Sequence, residues 1–239
     1  MTPEQLSFRN PLTVDRVDAC LATLCEDWPE QHAARVFDVG CGNGEVLARL
    51  RELRVAQGAQ DCIVLGIDPD GAALARAALR NAALPFDQAE EARWEARDWA
   101  PELAQDGPWQ AAICLGSRHA FGSQADARER MLHELKQRLD RGGRLFIADG
   151  YWRAEPAPEY LEATGMQADE LIELPAWHAQ FAAHGLRVLH EECTSPAEFE
   201  AFERVFWAQG GAHWEAWSKA FLRWGKQTMG FAAWVLARD

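Results

Sequence analysis

Residues 36–50, "VFDVGCGNGEVLARL", combine a short apolar run, an acidic residue, three alternating glycines and an apolar pattern at helical spacing. The order predicts a buried strand, a tight turn and an amphipathic helix. A helix N-terminus offers free backbone N–H groups, and glycine lets a ligand approach the backbone closely. The stretch therefore predicts a binding site at the end of a strand in an α/β fold.

The spacing of the glycines indicates which ligands fit. They follow the pattern Asp38-x-Gly40-x-Gly42-x-Gly44, whereas a dinucleotide fingerprint reads G-x-G-x-x-G and would need glycine where Glu45 stands. An acid two residues before the first glycine is unfavourable beside a pyrophosphate. It suits a ligand that carries an ammonium or a sulfonium group, such as S-adenosylmethionine.

Similar strand and helix patterns alternate along the chain, which predicts a parallel sheet with helices on both faces and right-handed crossovers. The predicted strands are 34–40, 62–68, 92–99, 110–116, 144–150, 186–193 and 230–239. The predicted helices are 13–25, 45–57, 69–84, 125–140, 173–185, 195–209 and 214–227, with Thr13 and Ser195 as caps.

The length of 239 residues fits one domain, 1–239. Within it we expect an N-terminal lid and helix at 1–30 and a cofactor-binding core at 31–150. Residues 151–239 should supply helices on the acceptor side and the last two strands. This last part is rich in aromatic residues, since seven of the eleven tryptophans follow Gly150.

Composition disfavours several classes of partner. The net charge of −13 and a pI of about 5.0 weigh against nucleic acid, because such a surface repels phosphate backbones. No apolar run approaches the roughly 20 residues of a membrane span, and no signal peptide is evident. The six cysteines show no C-x-x-C pair and predict reduced thiols in a cytoplasmic protein. The seven histidines form no ligand set, so we expect no metal.

Several motifs resemble those of the class I S-adenosylmethionine-dependent methyltransferases. "FDVGCGNG" (37–44) resembles their first motif, and "GIDPD" (66–70) their acidic signature after the second strand. "EARDW" (95–99) resembles the site after the third strand, and "RGGRLFIADGYW" (141–152) their fifth strand. "GFAAWVLAR" (230–238) resembles their closing strand.

The resemblance implies a Rossmann-like, seven-stranded, mostly parallel sheet with an antiparallel last strand and helical cap insertions. It also implies S-adenosylmethionine as cofactor, with Asp68 on the ribose hydroxyls and Asp98 on the adenine amino group, beside Trp99. The cofactor-binding residues predicted in this way are Asp38, Gly40, Cys41, Gly42, Gly44, Asp68, Pro69, Asp98, Trp99, Leu115 and Gly116.

Three further stretches are similar to a group of bacterial small-molecule methyltransferases, for which the resemblance implies a reaction class only. They are "FRNPL" (8–12), "GSRHAFG" (116–122) and "DGYW" (149–152). One position departs from the wider family: Gln110 and Ala111 stand where many members carry an Asp at the start of the fourth strand.

Residues after the fourth and fifth strands should face the transferred methyl group, since ligands of open parallel sheets lie at the strands' carboxyl ends. His119 is the predicted general base where the acceptor must lose a proton, with Asp149 as the alternative. A packing histidine and a capping carboxylate are the structural alternatives. The predicted acceptor pocket comprises Phe8, Asn10, His119, Tyr151 and Trp152, with residues 8–10 closing as a lid.

We therefore expect transfer of a methyl group to a small-molecule acceptor. The alternatives are a domain that binds the cofactor without turnover and a nicotinamide-dependent oxidoreductase on a similar sheet. Acidic charge disfavours RNA methylation, and "LGSR" (115–118) stands where amino-group methyltransferases of nucleobases or glutamine carry an "NPPY"-type tetrapeptide. The acceptor, the methylated atom and the oligomeric state stay open.

Overall fold

The strand that runs into the glycine loop lies inside a seven-stranded sheet in the computed structural model, which describes residues 8–84, 92–122, 126–206 and 212–238. The strands are β1 Arg35–Val39, β2 Ile63–Ile67, β3 Ala92–Glu95, β4 Trp109–Leu115, β5 Leu139–Trp152, β6 Leu186–Cys193 and β7 Met229–Arg238. Their order is β3-β2-β1-β4-β5-β7-β6. β7 is antiparallel to β5 and β6, while the pairs among β1 to β5 are parallel. The predicted fold class is confirmed.

The helices join the strands in the predicted alternation. They are α1 Val14–Cys25, α2 Glu45–Ala56, α3 Gly71–Ala82, α4 Ala127–Arg138, α5 Pro158–Thr164, α6 Leu174–Ala183, α7 Pro196–Phe206 and α8 Ala212–Ala220. Short 3-10 helices span Pro101–Ala104 and Arg118–Phe121. The single helix predicted over 214–227 is instead α8, a π-helical segment Phe221–Gly225 and a last turn Lys226–Thr228.

The two predicted caps behave differently. Ser195 forms a capping box, because the Glu198 amide donates to its hydroxyl (3.2 Å) and its own amide donates to the Glu198 carboxylate (2.6 Å). Thr13 holds the N-cap position of α1, but its side chain makes no capping hydrogen bond. The part of the predicted helix 195–209 that lies beyond Phe206 falls outside the described residues.

β5 is longer than its apolar pattern predicts. The sequence pattern predicts a helix through Asp140 and a strand over 144–150, yet α4 ends at Arg138 and the strand spans Leu139–Trp152. Pairing with β7 explains the extension at the carboxyl end, since Tyr151 lies opposite Gly230 and Trp152 opposite Met229. Tyr151 and Trp152 are therefore strand residues and not the first residues of a loop.

Two hydrophobic cores form from apolar residues of the sheet and its helices. One includes Val36, Val64 and Phe146 with residues of α1 and α2, and the other includes Phe37 and Leu65 with residues of α4 and α6. Consecutive residues of β1 and of β2 thus belong to different cores, as the two faces of a strand require. Both faces of the sheet are covered, which leaves the carboxyl ends of the strands as the place for a ligand.

Gln110, where the wider family carries an Asp, holds neighbouring elements together. Its amide oxygen accepts a hydrogen bond from the Arg35 backbone (2.7 Å), and its amide nitrogen donates to Asp140 (3.2 Å). Gln110 therefore joins β4 to the start of β1 and to β5.

All six cysteines are free thiols. Within the described ranges, no helix has the length and apolar character that a membrane crossing needs.

Candidate active site

A cavity of about 570 Å³ opens at the carboxyl ends of the central strands. It lies where β1 stands between β2 and β4, the position at which open α/β sheets bind their ligands. Its volume falls within the range of small-molecule sites, about 300–1,000 Å³. The lining residues are Phe8, Arg9, Asn10, Asp38, Val39, Gly40, Cys41, Gly42, Asn43, Val46, Ile67, Asp68, Pro69, Arg97, Asp98, Trp99, Leu115, Gly116, Ser117, His119, Ala120 and Gly122.

Two glycines of the loop have different tasks. Gly42 and Gly44 both adopt positive φ, +53° and +72°, which side chains other than glycine rarely adopt. A Cβ on Gly44 would lie 2.7 Å from the Ala77 Cβ and 2.9 Å from the Trp94 ring, whereas a Cβ on Gly42 would meet nothing within 4 Å. Gly44 thus lets the start of α2 pack against α3 and β3, while Gly42 leaves open space beside the cavity. Of the predicted cofactor residues, Gly44 is the one outside the cavity lining.

Asp68 joins the glycine loop to the start of α3. Its Oδ2 accepts a hydrogen bond from the Gly42 amide (2.8 Å), and its Oδ1 accepts one from the Asp70 amide (2.8 Å). Asp70 in turn caps α3 by accepting from the amides of Ala72 and Ala73. A carboxylate can accept about four hydrogen bonds, so Asp68 keeps capacity for hydroxyl groups of a ligand.

Asp38 is a buried carboxylate, 2% exposed, that lines the cavity. Among the residues the structure describes, no hydrogen-bond donor reaches this carboxylate. Burial, together with the charge of Asp68, raises the pKa of Asp38 to about 7. Since the described residues supply no compensating charge, a cationic group in the cavity would stabilise the ionised form of Asp38.

The β3 end of the cavity carries an exposed acid and a fixed aromatic ring. Asp98 lines the cavity and is exposed. The Trp99 ring stacks on Phe37, with 5.7 Å between centroids and 5° between planes, and its Nε1 donates to Glu134 (2.8 Å). The ring is therefore held in place beside Asp98, as a flat wall for the cavity.

The two predicted catalytic residues lie in different surroundings. His119 lines the cavity from the 3-10 helix Arg118–Phe121, with an exposed side chain. Asp149 lies outside the lining, where its Oδ2 accepts from the Arg118 guanidinium (2.6 Å) and its Oδ1 from the Gly150 amide (2.7 Å). His119 thus lines the cavity, while Asp149 lies outside the lining and forms an ion pair with Arg118.

Two of the predicted acceptor-pocket residues do not line this cavity. Tyr151 and Trp152 are buried, and they belong to the cores on opposite faces of the sheet. The Trp152 Nε1 donates to the Ala168 carbonyl (2.8 Å), and its ring packs edge-on against Tyr160. The reason is the extension of β5, which directs successive side chains into the two cores and not past the end of the sheet.

Residues 8–10 of the N-terminal segment line the cavity, and their closing over it as a lid stays a prediction. Phe8 is buried in the core and lines the cavity. Arg9 lies 3.7 Å from Asp70, and the Asn10 side chain accepts from the Leu12 amide (3.0 Å). The segment therefore contacts both the interior of the protein and the start of α3.

Several lining residues were not predicted individually. Asn43 lies inside the glycine loop, and Arg97 precedes Asp98. The available signal was that each lies in a motif that follows a strand. Their residue types alone did not mark them, because Asn and Arg are also common in loops. Among the described residues, no group of three potential metal ligands comes together.

The chain is similar in sequence to a known protein family and to a curated relative. A family model described as "Methyltransferase domain" matches residues 37–145, the span that holds the glycine loop, Asp68, Asp98 and His119. A curated relative, the uncharacterized protein YjhP of Escherichia coli K12, is 26% identical over 202 residues, which is 84% of this chain and 75% of YjhP.

Two crystal structures share the fold over nearly the whole chain. A SAM-dependent methyltransferase from Thiobacillus denitrificans, in complex with S-adenosyl-L-homocysteine, is 20% identical with a TM-score of 0.78, covering 99% of this chain and 96% of that one. Its counterpart from Geobacter sulfurreducens, in complex with the same compound, is 21% identical with a TM-score of 0.78, covering 99% and 95%.

Proposed function

We propose that this chain, whose residues 37–145 match a model of a methyltransferase domain, binds S-adenosylmethionine and transfers its methyl group to a small-molecule acceptor. The carrying observation is Asp38, a buried carboxylate that faces the glycine-loop cavity without a donor from the described protein. The ligand that completes such a site is cationic. The family match and the two relatives solved with S-adenosyl-L-homocysteine support the same cofactor.

The residues present fit this cofactor group by group. Asp38 would take the ammonium of the methionine part, reached directly or through water. Asp68 has acceptor capacity for the ribose hydroxyls, and Asp98, beside the fixed Trp99 ring, would accept from the adenine amino group. Gly42 leaves the space into which the ligand comes closest to the backbone.

A dinucleotide fits the same cavity poorly. Its pyrophosphate would lie at the glycine loop, beside Asp38 and Asp68, and like charges in a buried site repel strongly. Asp38 therefore favours a sulfonium cofactor over a nicotinamide cofactor on this sheet.

S-adenosylmethionine supplies a methyl group on a positively charged sulfur, which a nucleophile displaces in line. The protein's own part is to hold the acceptor in line at about 3 Å and to keep water out. The 3-10 helix Arg118–Phe121 and the N-terminal segment would form the two sides of that enclosure.

His119 would act as the general base where the acceptor is a hydroxyl. Its side chain lines the cavity, and imidazole takes up protons near neutral pH. Asp149 is less suited, because its ion pair with Arg118 stabilises the carboxylate and directs it away from the lining.

The test is a methyl-transfer assay with S-adenosylmethionine labelled in its methyl group and fractions of bacterial metabolites. We expect label in a small molecule and release of S-adenosylhomocysteine. His119→Ala should lower turnover by about 10²–10⁴-fold, the usual contribution of a general base, and leave cofactor binding nearly unchanged. His32→Ala, at an exposed position away from the cavity, is the matched control.

Cofactor binding with no transfer to any fraction would support a non-catalytic binding domain instead.

The free thiols also support the cytoplasmic location that we infer, since reducing compartments keep cysteines unpaired.

A further inference from the structure

The end of β5 holds the 3-10 helix that carries His119. The Gly116 amide, just ahead of this helix, donates to the Ala148 carbonyl of β5 (2.7 Å). The Arg118 guanidinium, at the start of the helix, donates to the carboxylate of the next β5 residue, Asp149 (2.6 Å). Two consecutive residues of β5 thus hold the start of the helix and the segment that leads into it.

The Asp149 carboxylate is itself fixed by the sheet. Its second oxygen accepts from the Gly150 amide (2.7 Å), and β5 lies inside the sheet between β4 and β7. The side chains of Asp149 and Arg118 are each 12% exposed. Solvent ions screen such a pair far less than an exposed one. The ion pair therefore joins the 3-10 helix to a rigid part of the fold.

Packing holds the far end of the 3-10 helix. Phe121 is 1% exposed, and its ring centre lies 5.6 Å from that of Trp99. Within the helix, the Ala120 amide donates to the Ser117 carbonyl (3.0 Å). His119 lies between the ion pair at one end and the aromatic contact at the other, and it lines the cavity. Its place at the cavity wall thus depends on contacts that it does not make itself.

We propose that Asp149 is a positioning residue, which acts through Arg118 to hold the 3-10 helix so that the His119 imidazole faces the methyl acceptor. The proposal rests on the proposed function, because it assigns His119 to the acceptor. A general base must lie within hydrogen-bond reach of the proton that it takes, and a small displacement lowers the rate strongly. This role needs no contact between Asp149 and a ligand, and Asp149 lies outside the cavity lining.

The first test is amide hydrogen exchange at Ala120, whose hydrogen bond to Ser117 closes the turn. Asp149→Asn keeps the size of the side chain and an acceptor oxygen for the Gly150 amide, but it removes the charge that Arg118 pairs with. We expect exchange at Ala120, followed by NMR, to become at least about tenfold faster than in the wild type, because the turn opens more often.

Glu198→Gln is the matched control. The Glu198 carboxylate likewise accepts from an arginine, Arg16 (3.0 Å), and from a backbone amide, that of Ser195 (2.6 Å). Among the described residues, none of α7 lines the cavity, so this variant shows what the loss of such a pair does elsewhere in the fold. Exchange at Ala120 should stay as in the wild type. Wild-type exchange in Asp149→Asn, or an equal increase in the control, would overturn the proposal.

Arg118→Lys covers the case in which Asp149→Asn does not fold. Lysine keeps the positive charge, but its single ammonium group lacks the planar N–H groups of the guanidinium and holds the carboxylate less rigidly. We expect exchange at Ala120 to become several-fold faster in this variant. Exchange at the wild-type rate would count against the ion pair as the anchor.

The second test asks whether Asp149 acts through His119. It uses S-adenosylmethionine labelled in its methyl group and the metabolite fractions that the wild type labels. Asp149→Asn should lower turnover about tenfold, whereas in the His119→Ala background the same substitution should lower it no further. A further tenfold loss in that background would show that Asp149 acts independently of the imidazole, and would overturn the positioning role.

Calorimetric titration with S-adenosylmethionine separates the two proposals. Asp149→Asn should bind the cofactor as the wild type does. If the wild type fails to bind it, the proposed function fails, whatever the exchange at Ala120 shows. If the wild type binds the cofactor and transfers the label, and Asp149→Asn turns over at the wild-type rate, the positioning role alone is wrong.

Discussion

Asp38 is the residue at which folding and ligand binding oppose each other. The fold buries its carboxylate next to Asp68 and raises its pKa to about 7, well above the ordinary value of 3.8. A protonated Asp38 suits the empty cavity, while an ionised Asp38 suits a cationic ligand. The residue thus carries an unfavourable interaction that the proposed cofactor would relieve.

The pH dependence of stability tests this account. Between about pH 4 and pH 7 the folded state holds a proton on Asp38 that the unfolded state has lost. The free energy of unfolding should therefore fall as the pH rises through this window and level off above about 7. Asp38→Asn should remove this dependence and stabilise the empty protein at pH 8 by roughly 1–3 kcal/mol. Urea unfolding of the wild type and of Asp38→Asn from pH 4.5 to 8 measures this dependence of the free energy of unfolding on pH.

Cofactor affinity should change in the opposite direction. Binding of S-adenosylmethionine to the wild type should strengthen from pH 5.5 to 7, as Asp38 ionises, and Asp38→Asn should bind weakly throughout. If the free energy of unfolding depends on pH in the same way in the wild type and in Asp38→Asn, the assignment of this pKa to Asp38 is contradicted.

The sequence alone predicts the position of some site residues and not of others. Asp38 and Asp68 were predictable because Asp38 is the penultimate residue of β1 and Asp68 directly follows β2, and a position at a strand's carboxyl end determines where the side chain lies. Asp149, Tyr151 and Trp152 were not, because their roles depend on partners distant in the chain. Arg118 holds Asp149, and β7 draws Tyr151 and Trp152 into the sheet.

At the scale of elements, the glycine loop is shaped by what packs beneath it. The Trp94 ring of β3 lies against both Gly44 and Gly66, where a Cβ would come within 2.9 Å and 2.4 Å of it. Gly66 of β2 and Gly44, which directly precedes α2, thus both leave space for the Trp94 ring. The turn is held between α3, β3 and Asp68.

Alanine at two glycines should separate stability from binding. Gly44→Ala meets Ala77 and Trp94 and forces a side chain into positive φ, so it should lower the free energy of unfolding by at least about 2 kcal/mol. Gly42→Ala meets open space and should lower it by only about 1 kcal/mol, from φ alone. It should nonetheless weaken S-adenosylmethionine binding at least about tenfold, because the proposed ligand would occupy that space.

Chemical unfolding and calorimetry on the two variants provide the measurements. Gly42→Ala binding the cofactor with wild-type affinity would show that the ligand does not approach the loop there.

The order of elements was predictable because apolar runs and amphipathic segments alternate clearly up to residue 150. The length of β5 was not, because "RGG" at 141–143 reads as the end of a helix. The strand begins before this stretch, where Leu139 pairs with Trp109 of β4. After it, the nine positions from Arg144 to Trp152 pair with β7, more than 75 residues further along the chain. The π-helical segment Phe221–Gly225 left no periodic signal either, since a single wide turn hardly alters helical spacing.

For the whole molecule, the N-terminal segment connects the cavity to the core. Phe8 is 6% exposed, whereas the Arg9–Asp70 pair joins side chains that are 61% and 44% exposed. Burial of an aromatic ring is worth more than an exposed ion pair, which contributes about 0–1 kcal/mol. Phe8 should therefore be the main anchor of this segment.

Phe8→Ala and Arg9→Ala compare the two anchors. Phe8→Ala should speed amide hydrogen exchange of Arg9, Asn10 and Leu12 and weaken S-adenosylmethionine binding several-fold, because the segment then leaves the cavity. Arg9→Ala should change both by less than about threefold, and its effect should fade with added salt. Similar exchange rates for Phe8→Ala and the wild type would show that the segment is held by other contacts.

The cofactor assignment is tested most directly by calorimetric titration of the purified protein with S-adenosylmethionine, S-adenosylhomocysteine and NAD. The predicted result is saturable binding of the two sulfur compounds and none of NAD. Asp68→Ala should weaken the binding of both sulfur compounds by roughly 1–3 kcal/mol, because the substitution removes a charged hydrogen-bond acceptor. Binding of NAD with no response to either sulfur compound would contradict the account of the glycine loop and of Asp38.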